Sequence, residues 1–240
     1  MFLNNLHTPE ASDALTSAWL ASGPTTPCSR MWAEAFRTLH LVTHHPTPEA
    51  LDHAAASARL ARETGSISAT AIASWSRGLV ELMRDRSQAI ATWNDALEWP
   101  RSMPGDHLVE QMLVGLILNF TVNRDDLVRT LERCRDAIES ALEAHHHVGT
   151  SHLFGVAAIA LTRAGDPVTG ARLVGSMISR GHLPRPNATQ ALEAALGEGL
   201  EAELALGGLL GLTEAAHLAI DALDRALVRV PDTAAASSDD

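Results

Sequence analysis

The sequence predicts an all-α protein in which helical hairpins stack side by side as a right-handed superhelix. Two observations point there. A short unit recurs: an alanine-rich amphipathic helix, a brief Gly, Pro or Asp turn, then a second such helix. Such a unit cannot bury its own apolar face and must stack on neighbours. In addition, no stretch shows the sustained alternation of β-branched residues that a strand requires, so no strand is predicted.

Punctuation residues predict about eleven helices, near 9–22, 29–43, 48–64, 67–84, 86–98, 106–123, 125–146, 150–164, 167–181, 187–206 and 213–229. Thr8-Pro9-Glu10 and Thr47-Pro48-Glu49 read as N-cap, N1 proline and first-turn acid. Asp166-Pro167 and Thr213-Glu214 repeat that signal, and Asn187 with Gln190 has capping-box spacing. Gly23, Gly65, Gly165 and Gly207 mark ends, as do Pro46 and Pro100. The seventh helix carries the clearest apolar stripe, Leu127, Leu131, Cys134, Ile138 and Ala141–Leu142, and the last repeats it with Ala216, Ile220, Leu223, Leu227 and Val230. Two prolines in Gly181–Pro186 interrupt any helix. They divide a repeat array (1–181) from a terminal helical pair (182–230), and the small, polar, acidic tail 231–240 reads as disordered.

Composition excludes several functions. The net charge of −11 opposes a nucleic-acid or anionic-membrane surface. All 18 basic residues are arginine. A P-loop, a Schiff-base or PLP enzyme and a protein kinase each need a lysine, so none of these chemistries is expected. Cys28 and Cys134 lie far apart, and Cys134 on its apolar stripe reads as a buried free thiol. The N-terminus lacks a signal peptide's basic and apolar regions, and the apolar run from Met112 to Leu118 is too short to span a bilayer. A cytoplasmic protein is the expectation.

Within Ser66–Pro100, the second helix places Ala89, Trp93, Ala96 and Leu97 in a small, aromatic, small, apolar pattern, with Trp75 and Leu79 serving the first helix. This segment resembles a tetratricopeptide (TPR) repeat. Further on, His146 or His147 with Gly149, then Gly165-Asp166-Pro167, then Ala171, Leu173 and Gly175 follow one another. After them come Leu196-Gly197-Glu198 and Leu212-Thr213-Glu214-Ala215-Ala216. This run resembles the C-terminal TPR-like helical region of actinobacterial LuxR-type transcriptional regulators and of signal-transduction ATPases linked to class III adenylate cyclases. The chain has no Walker A motif, cyclase domain or clear helix-turn-helix. The resemblance therefore implies a non-catalytic regulatory module with a protein or peptide partner, or a signalling ATPase or regulator as partner.

The constellations that carry chemistry elsewhere read here as structural. His40 and His44 have the spacing of a metal-binding pair, with His45 adjacent and His53 the nearest third ligand, but surface histidines at a helix end are the preferred reading. The same holds for His145, His146 and His147. Gly197, Gly199 and Ala202 fit G-x-G-x-x-A inside a helical pattern, so these glycines are expected to permit close helix packing rather than to bind a dinucleotide. Gly175-Ser176 lacks the rest of a nucleophile elbow, and Asp125 and Asp126 read as caps. No catalytic, cofactor-binding or metal residue is assigned.

The tryptophans Trp19, Trp32, Trp75, Trp93 and Trp99 all precede residue 100. Packing is the preferred reading, and an aromatic groove for a peptide or small ligand the functional one. Arg77, Arg84 and Arg133 are candidate anchors for acidic partner groups. The function expected is therefore a non-catalytic regulatory interaction module. The alternatives are a small-molecule sensor with its ligand between helices, and a fragment of an ATPase or cyclase regulator. An unfinished array leaves an apolar end, so self-association is also expected.

Overall fold

The computed structural model describes residues 9–23, 26–101, 107–123, 126–184 and 186–230. All eleven expected helices are present: α1 (Pro9–Ala21), α2 (Pro27–His44), α3 (Glu49–Thr64), α4 (Ile67–Leu82), α5 (Arg86–Arg101), α6 (His107–Thr121), α7 (Leu127–Glu143), α8 (His147–Arg163), α9 (Pro167–Ser179), the expected 187–206 helix in two parts, and α12 (Leu212–Arg229). The divided helix runs as α10 (Pro186–Leu196), a 3-10 turn (Gly197–Gly199) and α11 (Leu200–Gly208). No strand occurs among the described residues. The chain forms two compact units, Met1–Ile117 and Leu118–Asp240. The Gly181–Pro186 break lies inside the second unit, between α9 and α10, and the tail 231–240 lies outside the described residues.

In the first unit each helix from α1 to α5 packs on its neighbour in the chain, and α2 also touches α4. Leu41 of α2, Ala50 and Ala54 of α3 and Val80 of α4 form one buried cluster. The α4–α5 hairpin is locked by a large ring. Trp93 is fully buried, and its indole N–H donates to the Trp75 carbonyl at 3.1 Å. The ring fills the space beside Gly78, where any Cβ would collide with it. Ala89, Ala96 and Leu97 are buried beside Trp93, as the small-aromatic-small pattern predicts.

The second unit is closed differently. Its helix α8 packs against α7, α9, α10 and α12, and α12 returns to touch α7 as well. Here helices meet backbone to backbone. A Cβ on Gly175 of α9 would run into the Leu204 carbonyl of α11, and one on Gly207 into the backbone of Arg172. Arg172 and Glu203 bridge the same two helices at 2.7 Å, and Arg180 donates to the Leu210 carbonyl at 2.8 Å. The α12 stripe is built of alanines 215, 216, 219, 222 and 226 with Leu223. Of the larger residues expected to carry it, Ile220, Leu227 and Val230 are only partly buried.

The helix ends explain much of the sequence pattern. The α8 end is a Schellman motif: Gly165 (φ 83°) donates to Thr162, Asp166 donates to Leu161, and the Asp166 carboxylate then caps α9 at the Thr169 N–H. With Pro167 at the first turn, Gly165-Asp166-Pro167 ends one helix and starts the next. The α7 end has the same wiring, with His145 and His146 donating to Leu142 and Ala141, but the left-handed position is His145 (φ 52°).

Five sequence expectations are corrected. Gly207 lies within α11 and serves the α9 contact rather than ending a helix. Gly197 and Gly199 face open space, so they break the helix instead of admitting a neighbour. Asn187 sits inside α10, which starts at Pro186. In α12 the N-cap is Gly211, whose N–H donates to Glu214 at 3.3 Å, so Thr213 is already helical. Thr47 caps nothing: its buried hydroxyl has no hydrogen-bond partner. Thr8 and Asp125 lie outside the described residues, while Asp126 caps Arg129 at 3.2 Å.

Candidate functional site

The first unit gathers on α1–α4 two features that packing alone does not require: a partly exposed aromatic cluster and a chain of histidine–carboxylate bridges. Phe36 of α2 is the hub of the cluster. Its ring centroid lies 5.5 Å from Trp32 in a stacked pair, 6.2 Å from Trp19 of α1 and 5.9 Å from Trp75 of α4 in an edge contact. Trp75 is buried, whereas Trp19, Trp32 and Phe36 are partly exposed. The cluster therefore has a rigid base and an accessible rim. Packing is expected of the tryptophans, and among Trp32, Trp75 and Trp93 only the latter two are in the core. The sequence reading does not assign Phe36, although the four-residue step from Trp32 to Phe36 puts both rings on one helix face. The Trp99 side chain lies outside those described.

Two sets of bridges flank α2. On the α1 side Asp13 accepts from Arg37 at 2.5 Å, and His40 Nε2 stands 3.5 Å from the same carboxylate. The Arg37 hydrogen bond holds the Asp13 carboxyl below its usual range. Burial pushes the His40 imidazole down, and the Arg37 charge adds to that. The His44 and His45 rings lie 5.4 and 5.7 Å from His40. On the α3 side His53 contacts Glu34 at 2.6 Å through Nδ1 and Glu49 at 3.3 Å through Nε2. Those carboxylates, Glu34 foremost, raise the His53 pKa against the opposing effect of burial.

His53 is thus committed to two acids rather than to the His40–His44 pair. Among the described residues no three His, Cys, Asp or Glu side chains are grouped to hold a metal ion. In the second unit the His146 ring fills the space over Gly149, which is why that turn takes a glycine, and His152 lies 5.0 Å from His182. Cys134 is buried, and burial pushes its thiol up to about 12, while the other free cysteine, Cys28, is exposed. Of the candidate anchors, Arg77 is exposed but paired with Glu81 at 2.7 Å, Arg84 is exposed, and Arg133 is partly buried. No described helix is long and apolar enough to cross a membrane.

Comparison with protein-family models, with curated proteins and with solved structures finds no match to this chain.

Proposed function

We propose that this chain is a non-catalytic regulatory interaction module, with a TPR-like stack of hairpins in its first unit and a peptide or partner helix as its ligand. The observation that carries this reading is the aromatic rim of Trp19, Trp32 and Phe36 set over the buried Trp75. Rigid aromatic rings with part of their surface in water are the side chains that most often anchor a partner. The neighbouring packing favours a stack, since α2 touches both α3 and α4 and Trp93 keys into Gly78. The resemblance to the C-terminal regions of LuxR-type regulators and cyclase-linked ATPases makes a signalling ATPase or regulator the partner class to try first.

The test is tryptophan fluorescence during titration with a panel of amphipathic helical peptides and, separately, of metabolites. Saturable peptide binding that weakens at least about tenfold in Trp32→Ala is the expected result. A saturable response to a small metabolite with none to peptides would replace this reading with the sensor. ATP turnover above background would replace it with an enzyme fragment.

A further inference from the structure

We propose that His53 is a proton-operated latch: its doubly protonated ring fastens the buried Glu34 of α2 to the first turn of α3, and loss of one proton releases half of that tie. This inference is independent of the proposed partner surface. The geometry is specific. Each ring nitrogen of His53 faces a carboxylate, Glu34 at 2.6 Å and Glu49 at 3.3 Å. An ionised carboxylate only accepts hydrogen bonds, and a neutral imidazole has a single N–H to give. Both contacts are hydrogen bonds only when the ring is an imidazolium. Glu34 is buried, with Arg30 at 3.7 Å on its solvent side, so His53 is the cation that reaches it from the neighbouring helix.

The other charged groups around this hairpin are engaged elsewhere. On α3 itself Arg59 pairs with Glu63, and Asp52 is exposed. On α4 Arg77 pairs with Glu81. On α1 Asp13 is held by Arg37 and His40, and the His44 and His45 rings lie against His40 at the C-terminal end of α2. His53 is the titratable ring that faces both Glu34 and Glu49. A neutral ring can keep Glu34 or Glu49 but not both, and the remaining bond loses the help of a positive charge.

The experiment is a nitrogen-15 NMR titration of the imidazole in the full chain, together with amide hydrogen exchange along α2 and α3 between pH 6 and 9, corrected for intrinsic exchange. The expected result is an imidazole midpoint above 6.5, with local opening that increases as the ring titrates. The increase should be about tenfold for each unit by which that midpoint lies above 6.5. Glu34→Gln should move the midpoint toward 6.5, and His53→Gln should abolish the alkaline rise in opening. A midpoint at or below 6.5, or an unchanged alkaline rise in His53→Gln, would overturn the proposal.

Discussion

The two units solve the same problem with opposite chemistries. In the first, a large ring spaces one hairpin and polar side chains join others: Trp93 fills the α4–α5 gap, Arg37 and Asp13 join α2 to α1, and His53 and Glu34 join α2 to α3. In the second, glycine and alanine bring backbones together, with Gly175 and Gly207 setting the α9–α11 contact and alanines lining α12. The difference teaches where each unit is vulnerable. A wedge packing fails when the wedge is removed, and a close packing fails when anything is added.

Removing the wedge has the largest expected effect. Trp93→Ala deletes a fully buried indole and its bond to the Trp75 carbonyl, so a loss of about 4 kcal/mol is expected in urea unfolding. Adding bulk to the close packing comes next. Gly175→Val must displace the Leu204 backbone, so about 3 kcal/mol is expected, whereas Gly199→Ala, which faces open space, should leave stability nearly unchanged. Equal effects at Gly175 and Gly199 would remove the close-packing account of the second unit. A double-mutant cycle sharpens the contrast between the units further: with Trp93 cut to alanine, Gly78→Ala should cost far less than it does alone, because the colliding ring is gone.

Acidity should distinguish the units less strongly. Below 6.5 the unfolded chain protonates its histidines while the buried His40 resists, so the unfolded state binds more protons and the first unit loses stability as pH falls. Above 6.5 the sign reverses: folded His53 keeps a proton that the unfolded chain has released, and stability falls as pH rises through its raised pKa. Tryptophan-monitored unfolding should therefore be most resistant near pH 6.5, and His40→Asn should flatten the acid arm alone. A curve that rises steadily with pH would contradict the His53 assignment, and one that falls steadily would contradict the His40 assignment. The smallest effect belongs to the second unit. His145 occupies a left-handed position that glycine adopts freely, so His145→Gly should stabilise by about 1 kcal/mol in thermal or urea unfolding.

Local rules made the helices legible. Asp126 and Asp166 cap where their sequence positions said they would, because a cap needs only its own next three residues. The small-aromatic-small pattern around Trp93 also identified its own core, since that pattern records what the neighbouring helix leaves room for. Side chains whose partners are distant in sequence were not legible. Nothing in the α2 pattern alone says that Glu34 would be buried against His53, 19 residues away, or that Asp13 would meet Arg37 and His40.

The sequence by itself determined the all-helical class, nearly every helix and the free, buried thiol of Cys134, because periodicity, capping and side-chain size act within a turn or two of chain. Tertiary structure alone decided the division into two units, which glycines admit a neighbour, and which aromatic rings keep a face in water. Gly175 inside α9 and Gly199 in the turn before α11 show the reason: the residue is the same, and only the fold sets another backbone against one and open space beside the other.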